Sequence, residues 1–154
     1  MSAEIMIEPV RSVVEVELEQ KEAFEFFTSH LSRWWPLEAY SVSGKRTETA
    51  VFELAEGGEI FELAENSERI TWGTVLLFEP PSRLIFSWHP GRDADTAQEV
   101  EVTFESTSSG TRVSLEHRGW EALGEDAQKI REPYVNGWAY VLGECYRKGA
   151  HHRD

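Results

Sequence analysis

The chain holds a single cysteine, Cys145, in 154 residues. No intrachain disulfide can form, and a disulfide-framed secreted fold is excluded. No apolar run approaches the ~18 residues of a membrane-spanning helix. Met1 to Ser12 has no long apolar core and carries Glu4, Glu8 and Arg11, so it does not read as a signal peptide. A cytoplasmic location is the expectation. Catalytic signatures are also missing: there is no G-x-S-x-G, no H-E-x-x-H, no C-x-x-C pair and no phosphate-cradling glycine loop. Repeats, low-complexity tracts and long linkers are absent, so one domain over 1–154 is expected, with a flexible tail from about 149. Positive charge is scarce. Lysine plus arginine number 15 against 28 acidic residues, a net charge of −13. Such a surface repels nucleic acid and anionic membranes, so neither is an expected partner. Solubility accounts for the acidity, and no clustered motif marks an acidic face for a basic partner.

Aromatic residues are plentiful. Six Trp, four Tyr and eight Phe make up 12% of the chain. Each ring buries about 150–250 Å², roughly 4–6 kcal/mol at ~25 cal/mol per Å² before entropy is subtracted. A domain of this length does not need six Trp merely to fold. They form either a generous core or the rigid walls of a cavity.

Alternation predicts a half-buried strand over Val10–Leu18, with Val14, Val16 and Leu18 inward. Ala23, Phe24, Phe27 and Leu31 then fall at helical spacing, and the helix must end before Pro36. Leu37 to Glu48 reads as a loop. Strands are expected over Thr49–Leu54 and Glu59–Ala64 around the Glu56-Gly57-Gly58 turn, and over Arg69–Phe78 after Asn66-Ser67. Pro80-Pro81 marks a reversal. Leu84, Phe86 and Trp88 share one strand face, and Pro90-Gly91 opens a polar, mobile loop to about Gln98. Val100, Val102 and Phe104 point inward from the next strand. Beyond Ser108-Ser109-Gly110, Val113, Leu115 and His117 do the same. From about Glu125 to about Lys148 a long helix carries Ile130, Tyr134, Trp138, Val141 and Cys145 in one stripe, widened by Leu142. Pro133 marks either its true start or a kink. The order β-α-β-β-β-β-β-β-α gives an antiparallel sheet that buries the long helix on its concave face and leaves an elongated space between them.

Four segments in this order carry a family resemblance: Arg33-Trp34-Trp35-Pro36, Pro80 through Trp88, Gly110-Thr111-Arg112-Val113 through His117-Arg118-Gly119-Trp120, and Asn136-Gly137-Trp138. Together they resemble the SRPBCC (START-like, Bet v 1-like) superfamily, and within it the branch named after the activator of Hsp90 ATPase. The resemblance implies an α+β helix-grip fold, a curved antiparallel sheet wrapped around a long C-terminal helix, with a short helix after the first strand and a deep apolar cavity. It implies members that bind lipids, sterols, polyketides or flavonoid-like molecules, with a minority of cyclases and aromatase-like enzymes. The family has no fixed catalytic residues, so none is carried over. Its eukaryotic co-chaperones pair this domain with a separate N-terminal domain, for which this chain has no room.

Candidate ligand-binding residues are Trp34, Trp35, Tyr40, Phe86, Trp88, His117, Tyr134 and Trp138. Trp34 and Trp35 serve either as pocket wall or as closure of the core. Phe86, Trp88, Tyr134 and Trp138 lie on strand and helix faces that a core would also use, though a buried Tyr134 hydroxyl needs a partner. His117, on the inner face, is either a weak candidate acid or base or a satisfied strand-end histidine. Of the other histidines, His30, His89, His151 and His152, no pair has metal-ligand spacing; no metal and no cofactor is expected. Cys145 reads as an inert core thiol, and Arg92-Asp93-Ala94-Asp95 as a solvated loop. Three functions follow: binding of a small hydrophobic ligand, cyclase-like chemistry in the same cavity, or a protein-interaction module resembling a chaperone partner. The last predicts a collapsed cavity. Either a monomer or a homodimer fits.

Overall fold

The computed structural model describes residues 7–151. Seven strands form one antiparallel sheet: β1 (Val10–Val16), β2 (Thr47–Phe52), β3 (Glu59–Ala64), β4 (Arg69–Glu79), β5 (Arg83–Trp88), β6 (Gln98–Thr107) and β7 (Gly110–Arg118). Their order is β1-β7-β6-β5-β4-β3-β2. The six consecutive strands therefore meander, and β1 closes the far edge beside β7. Since β1 and β2 are the two edges, the chain between them must cross the whole sheet. It crosses as three short helices, α1 (Gln20–Ser29), α2 (Leu31–Trp34) and α3 (Leu37–Tyr40). A C-terminal helical rod lies in the hollow of the curled sheet: α4 (Ala127–Tyr140), a π-helical stretch over Val141–Tyr146, and α5 (Arg147–His151). This is the expected α+β helix-grip architecture. No helix among the described residues is long and apolar enough to cross a membrane.

Period-two alternation is obeyed where the sheet is regular. Val14 and Val16, Leu84, Phe86 and Trp88, Val100, Val102 and Phe104, and Val113, Leu115 and His117 are all buried. The outward residues between them pair across strands. Arg118 meets Glu99, Glu101 and Glu116 at 3.1, 2.5 and 3.1 Å, Arg83 meets Glu101 at 2.6 Å, and Arg11 meets Glu116 at 3.0 Å. Partly exposed pairs are each worth about 1 kcal/mol or less, but a network spanning four strands resists register slip and neutralises acids crowded on the convex face.

The curl is concentrated at β4. Its register against β3 shifts between Ile60 and Phe61, and against β5 between Val75 and Leu77. Gly73 lies between these irregularities, where β5 passes so close that a Cβ would sit 1.7 Å from the Ser87 carbonyl oxygen. Glycine at such a bend is a requirement of close approach. The extra residue of the first shift is Trp72, on β4, so β3 keeps its alternation: Ile60, Glu62 and Ala64 face inward, while Phe61, opposite Val51, faces outward and is covered by the Arg69 guanidinium 3.6 Å from its ring centroid.

Three expectations are corrected. The stretch Leu37–Glu48, read as loop, contains α3, a 3₁₀ turn over Gly44–Arg46 and the start of β2. It is ordered by the Glu62 carboxylate, fully buried, which accepts from the Val42 and Ser43 backbone N–H groups (2.7 Å each), the Ser43 hydroxyl (2.5 Å) and the Trp72 indole (2.6 Å). Burial alone would raise its pKa, but hydrogen bonds from Ser43, Trp72 and Val42 outweigh this and hold it below the usual carboxylate value. The helical stripe, expected to continue to Cys145, passes instead through Trp138, Val141 and Leu142 to a fully buried Tyr146, while Cys145 is only half-buried. The wider π turn rotates the following residues by about one position, which exchanges Cys145 for Tyr146 on the inner face. The Tyr146 hydroxyl donates to the Ala23 carbonyl at 2.8 Å and so ties the rod to α1. Finally, no free tail begins at 149. The helix continues to His151, Ala150 is buried, and Gly149 rests on Phe26 and Trp34. His152 lies outside the described residues. Pro133 is interior to α4, so the helix starts upstream of it, at Ala127.

Gly73→Ala is expected to lose about 3 kcal/mol or more, because backbone rather than a flexible side chain occupies the Cβ position; urea unfolding followed by circular dichroism measures it, and a change under 1 kcal/mol would contradict the close approach.

Candidate functional site

Four indoles from four different elements converge between the sheet and the rod. Trp35 follows α2, Trp72 is on β4, Trp88 on β5 and Trp138 on α4. Ring centroids lie 4.9 Å apart for Trp35–Trp72, 5.6 Å for Trp72–Trp88, 5.5 Å for Trp88–Trp138 and 5.9 Å for Trp35–Trp88. These are tilted and edge-on contacts, as ring quadrupoles favour. The expected elongated space is therefore filled in its middle. The void on the side of Trp34, Phe86 and Trp72 measures about 10 Å³, room for one water at most.

Beyond the indoles a pocket of about 200 Å³ remains open. Trp35, Trp88, Tyr134 and Trp138 form much of its wall, and Tyr40, Pro90, Pro133, Gly137 and Val141 complete it. None of these side chains is charged. The volume exceeds the ~150 Å³ cavity that accepts benzene and falls short of the ~300 Å³ at which drug-sized sites begin. It therefore takes a one- or two-ring group, with anything larger extending past the rim. Of the eight candidate residues, Trp35, Tyr40, Trp88, Tyr134 and Trp138 line this pocket. Trp34 and Phe86 border the small inner void instead. Trp34 donates its indole N–H to the Phe26 carbonyl at 3.1 Å and packs on Tyr146.

His117 is enclosed, with no exposed surface. Its partners determine its tautomer. Gln98 donates its amide N–H to the Thr96 carbonyl at 2.6 Å, which leaves its Oε1 as acceptor for His117 Nε2 at 3.0 Å. Trp138 Nε1, which can only donate, meets His117 Nδ1 at 2.9 Å. The imidazole is neutral, protonated at Nε2, and both nitrogens are used. Burial pushes its pKa down to about 3, and Trp120 stacks on it at 3.9 Å. A ligand in the pocket meets Trp138 and Tyr134 before it meets His117.

Residues of the pocket that sequence reasoning did not single out as lining are Pro90, Pro133, Gly137 and Val141. A signal existed. Pro133 and Gly137 are four apart, on one face of a long helix, and neither residue favours a helix interior. Gly137 leaves the space beneath Tyr40 open, since a Cβ there would meet only Tyr40 Cε1 at 3.9 Å. Tyr40 in turn stacks on Tyr140, with centroids 5.6 Å apart.

Hydrogen bonding across the six tryptophans is uneven. Trp34, Trp72, Trp120 and Trp138 each donate to a protein acceptor. Trp35 and Trp88, 8% and 4% exposed, bury indole N–H groups that find none. Leaving such a donor unpaired costs about 1–3 kcal/mol. The Tyr134 phenol lies near Trp88. Burial raises its pKa, against smaller lowering effects of Trp88 and of the Arg92 guanidinium, yet the Trp88 N–H makes no hydrogen bond of acceptable geometry. The described residues contain no cluster of metal-ligating side chains.

The family model "Activator of Hsp90 ATPase homolog 1-like protein" matches residues 17–144. The chain belongs to this family. No curated protein matches it. Among solved structures, the anthrahydroquino-γ-pyrone synthase Txn09 is similar at 33% identity, covering 84% of this chain and 88% of that one, with a TM-score of 0.58. CalC from Micromonospora echinospora, described as a self-sacrificing resistance protein, is 26% identical over 93% of this chain and 94% of its own, with a TM-score of 0.68. MLL2253 from Mesorhizobium loti shares the fold at 18% identity, with a TM-score of 0.71 and coverage of 96% and 99%.

In this family member the neutral His117 stabilises the fold above the unfolded-state value of 6.5, and that contribution is lost as pH falls from there toward about 3, because only the unfolded chain takes up the proton. The stability slope should reach at most about 1.4 kcal/mol per pH unit in that interval. Urea midpoints recorded from about pH 7 to about pH 5 test it, together with the His117 imidazole proton signal, which should not titrate there.

Proposed function

We propose that the protein binds a flat, largely apolar ligand, aromatic or lipid-like, in the pocket between the indole cluster and α4. The observation that supports this reading most is an open cavity of about 200 Å³ walled by rigid rings and free of charged side chains. Trp35, Tyr40, Trp88, Tyr134 and Trp138 are the proposed contact residues. Trp34, Phe86 and His117 act behind them, by holding those rings in place. A module that only docks proteins would have no use for such a cavity, and a collapsed one was its expectation.

Similarity to Txn09 supports a second reading, in which the same pocket performs cyclase-like chemistry on an aromatic polyketide. The ionisable groups on the pocket wall are the phenols of Tyr40 and Tyr134. The Tyr134 phenol, its pKa raised by burial, stays protonated at neutral pH and can polarise a carbonyl but not remove a proton. Binding without turnover is therefore favoured.

Gly137→Leu fills the pocket from the helix side and should also favour the helix by up to about 1 kcal/mol. The expected outcome is an unchanged or raised melting temperature with loss of the thermal shift that bicyclic aromatic compounds give the unaltered protein, a shift that should grow with ligand concentration, reaching about 2.7 kcal/mol at a hundred times Kd. No shift with any flat aromatic or lipid, in the unaltered protein, would end the binding reading.

A further inference from the structure

We infer that the segment 37–46 is a lid over the pocket, latched by the Glu62 carboxylate, and that release of this latch sets how fast a guest enters and leaves. This rests on the binding reading and adds its gate. The segment is pinned at both ends. On one side Trp35 is locked in the indole cluster; on the other the Arg46 carbonyl accepts from the Glu65 N–H, just past β3, at 2.7 Å. Between these points no residue is buried, and Leu37 is the apolar side chain that reaches the edge of the core. The backbone hydrogen bonds from Tyr40 to Pro36, Gly44 to Ser41 and Arg46 to Ser43 stay local. Glu62 is what ties the middle of the segment to the sheet, through the Val42 and Ser43 N–H groups and the Ser43 hydroxyl.

Tyr40 makes this segment the door. Trp35, Trp88 and Trp138 of the pocket wall are 8%, 4% and 3% exposed, whereas Tyr40 is 42% exposed. It stands at the mouth, with its ring edge toward Gly137 and its face on the exposed Tyr140. Val42 lies beside Gly91, next to Pro90 of the lining. These half-exposed apolar contacts are weak beside a carboxylate that receives charge-assisted hydrogen bonds. The latch also requires a carboxylate. Oε1 faces the Val42 N–H and the Trp72 indole, Oε2 the Ser43 N–H and hydroxyl, so both oxygens meet donors. An amide in its place would turn its own NH₂ toward one of these pairs. Ser41, in the same segment, buries a hydroxyl that finds no acceptor, a cost of the closed form that opening to water removes. A segment with few buried contacts and one polar anchor opens ahead of the fold as a whole.

The test is Glu62→Gln, read first by amide hydrogen exchange. The Tyr40, Gly44 and Arg46 amides bond inside the lid and not to Glu62, so they report its opening. In the unaltered protein they should exchange faster than the Val100 and Val102 amides of the central strand β6, and with little dependence on low urea, as a sub-global opening requires. Glu62→Gln should accelerate all three about ten- to a hundredfold and keep that independence. No acceleration, or a urea dependence shared with Val100 and Val102, overturns the inference. Stopped-flow mixing with the polarity-sensitive two-ring dye prodan reads the gate. Association and dissociation rate constants should both rise about tenfold in Glu62→Gln, with Kd held within about threefold, because the latch is the same in the free and the loaded protein. Should Glu62→Gln not fold, Ser43→Ala, which removes one donor, carries the same test at smaller amplitude. Unchanged prodan rates beside accelerated lid amides mean that a guest passes elsewhere; they overturn the gate and leave the binding reading standing. Failure of prodan and of every flat aromatic or lipid to bind the unaltered protein ends the binding reading and the gate with it.

Discussion

One hydrogen bond, from the Trp138 indole to the His117 imidazole, fixes where the long helix rests in the sheet. Its direction is not free. Trp138 can only donate, Gln98 is already committed to a backbone carbonyl through its N–H, and the imidazole must therefore carry its proton toward Gln98. Three residues on two strands and one helix thus admit a single arrangement. With Trp138 so placed, Trp88 and Trp35 have only one side on which to pack, and the space they leave becomes the pocket. A ring that serves as the keystone of the helix–sheet contact is poorly suited to proton transfer, because protonating it would break the bond that holds the helix.

The seven strands were legible because alternation and turn residues agree along almost the whole chain, and the family resemblance supplied the curl that alternation alone does not contain. Departures have identifiable physical origins. In β4, Trp72 is the extra residue of a bulge against β3, and nothing local in the sequence announces it. Glu62, which shares the inward parity of Ile60 and Ala64, becomes a buried clasp for the segment before β2, and the Trp72 indole reaches it from the bulge. The helical stripe was followed correctly as far as Leu142 and lost at the π turn, since a period of 3.6 residues cannot foresee an inserted one. Aromatic composition pointed to the pocket's neighbourhood but could not divide wall from core. That division depends on which indoles fill the hollow's middle, a matter of packing between distant segments.

Local preference and global use disagree most visibly on α4. Proline and glycine, four residues apart and on one face, weaken the helix where it borders the pocket, while Leu142 and Tyr146, fully buried and outside the pocket lining, hold the rod in the core. Such disagreement is expected where a surface is kept open for another molecule. The sheet shows the reverse economy. On its convex face the acidic excess is drawn into arginine-centred ladders, so the face that carries most of the charge is also the most tightly registered.

The inner void and the open pocket share three rings, Trp35, Trp88 and Trp138, as a common partition. The depth of the site is therefore set by side chains, with the backbone already describing a longer hollow. Relatives built on this frame can lengthen or shorten their chamber by exchanging single large rings for small ones, with no strand or helix displaced. A fold of this kind acquires new guests by moving an internal wall, which separates the evolution of its contents from the evolution of its shell.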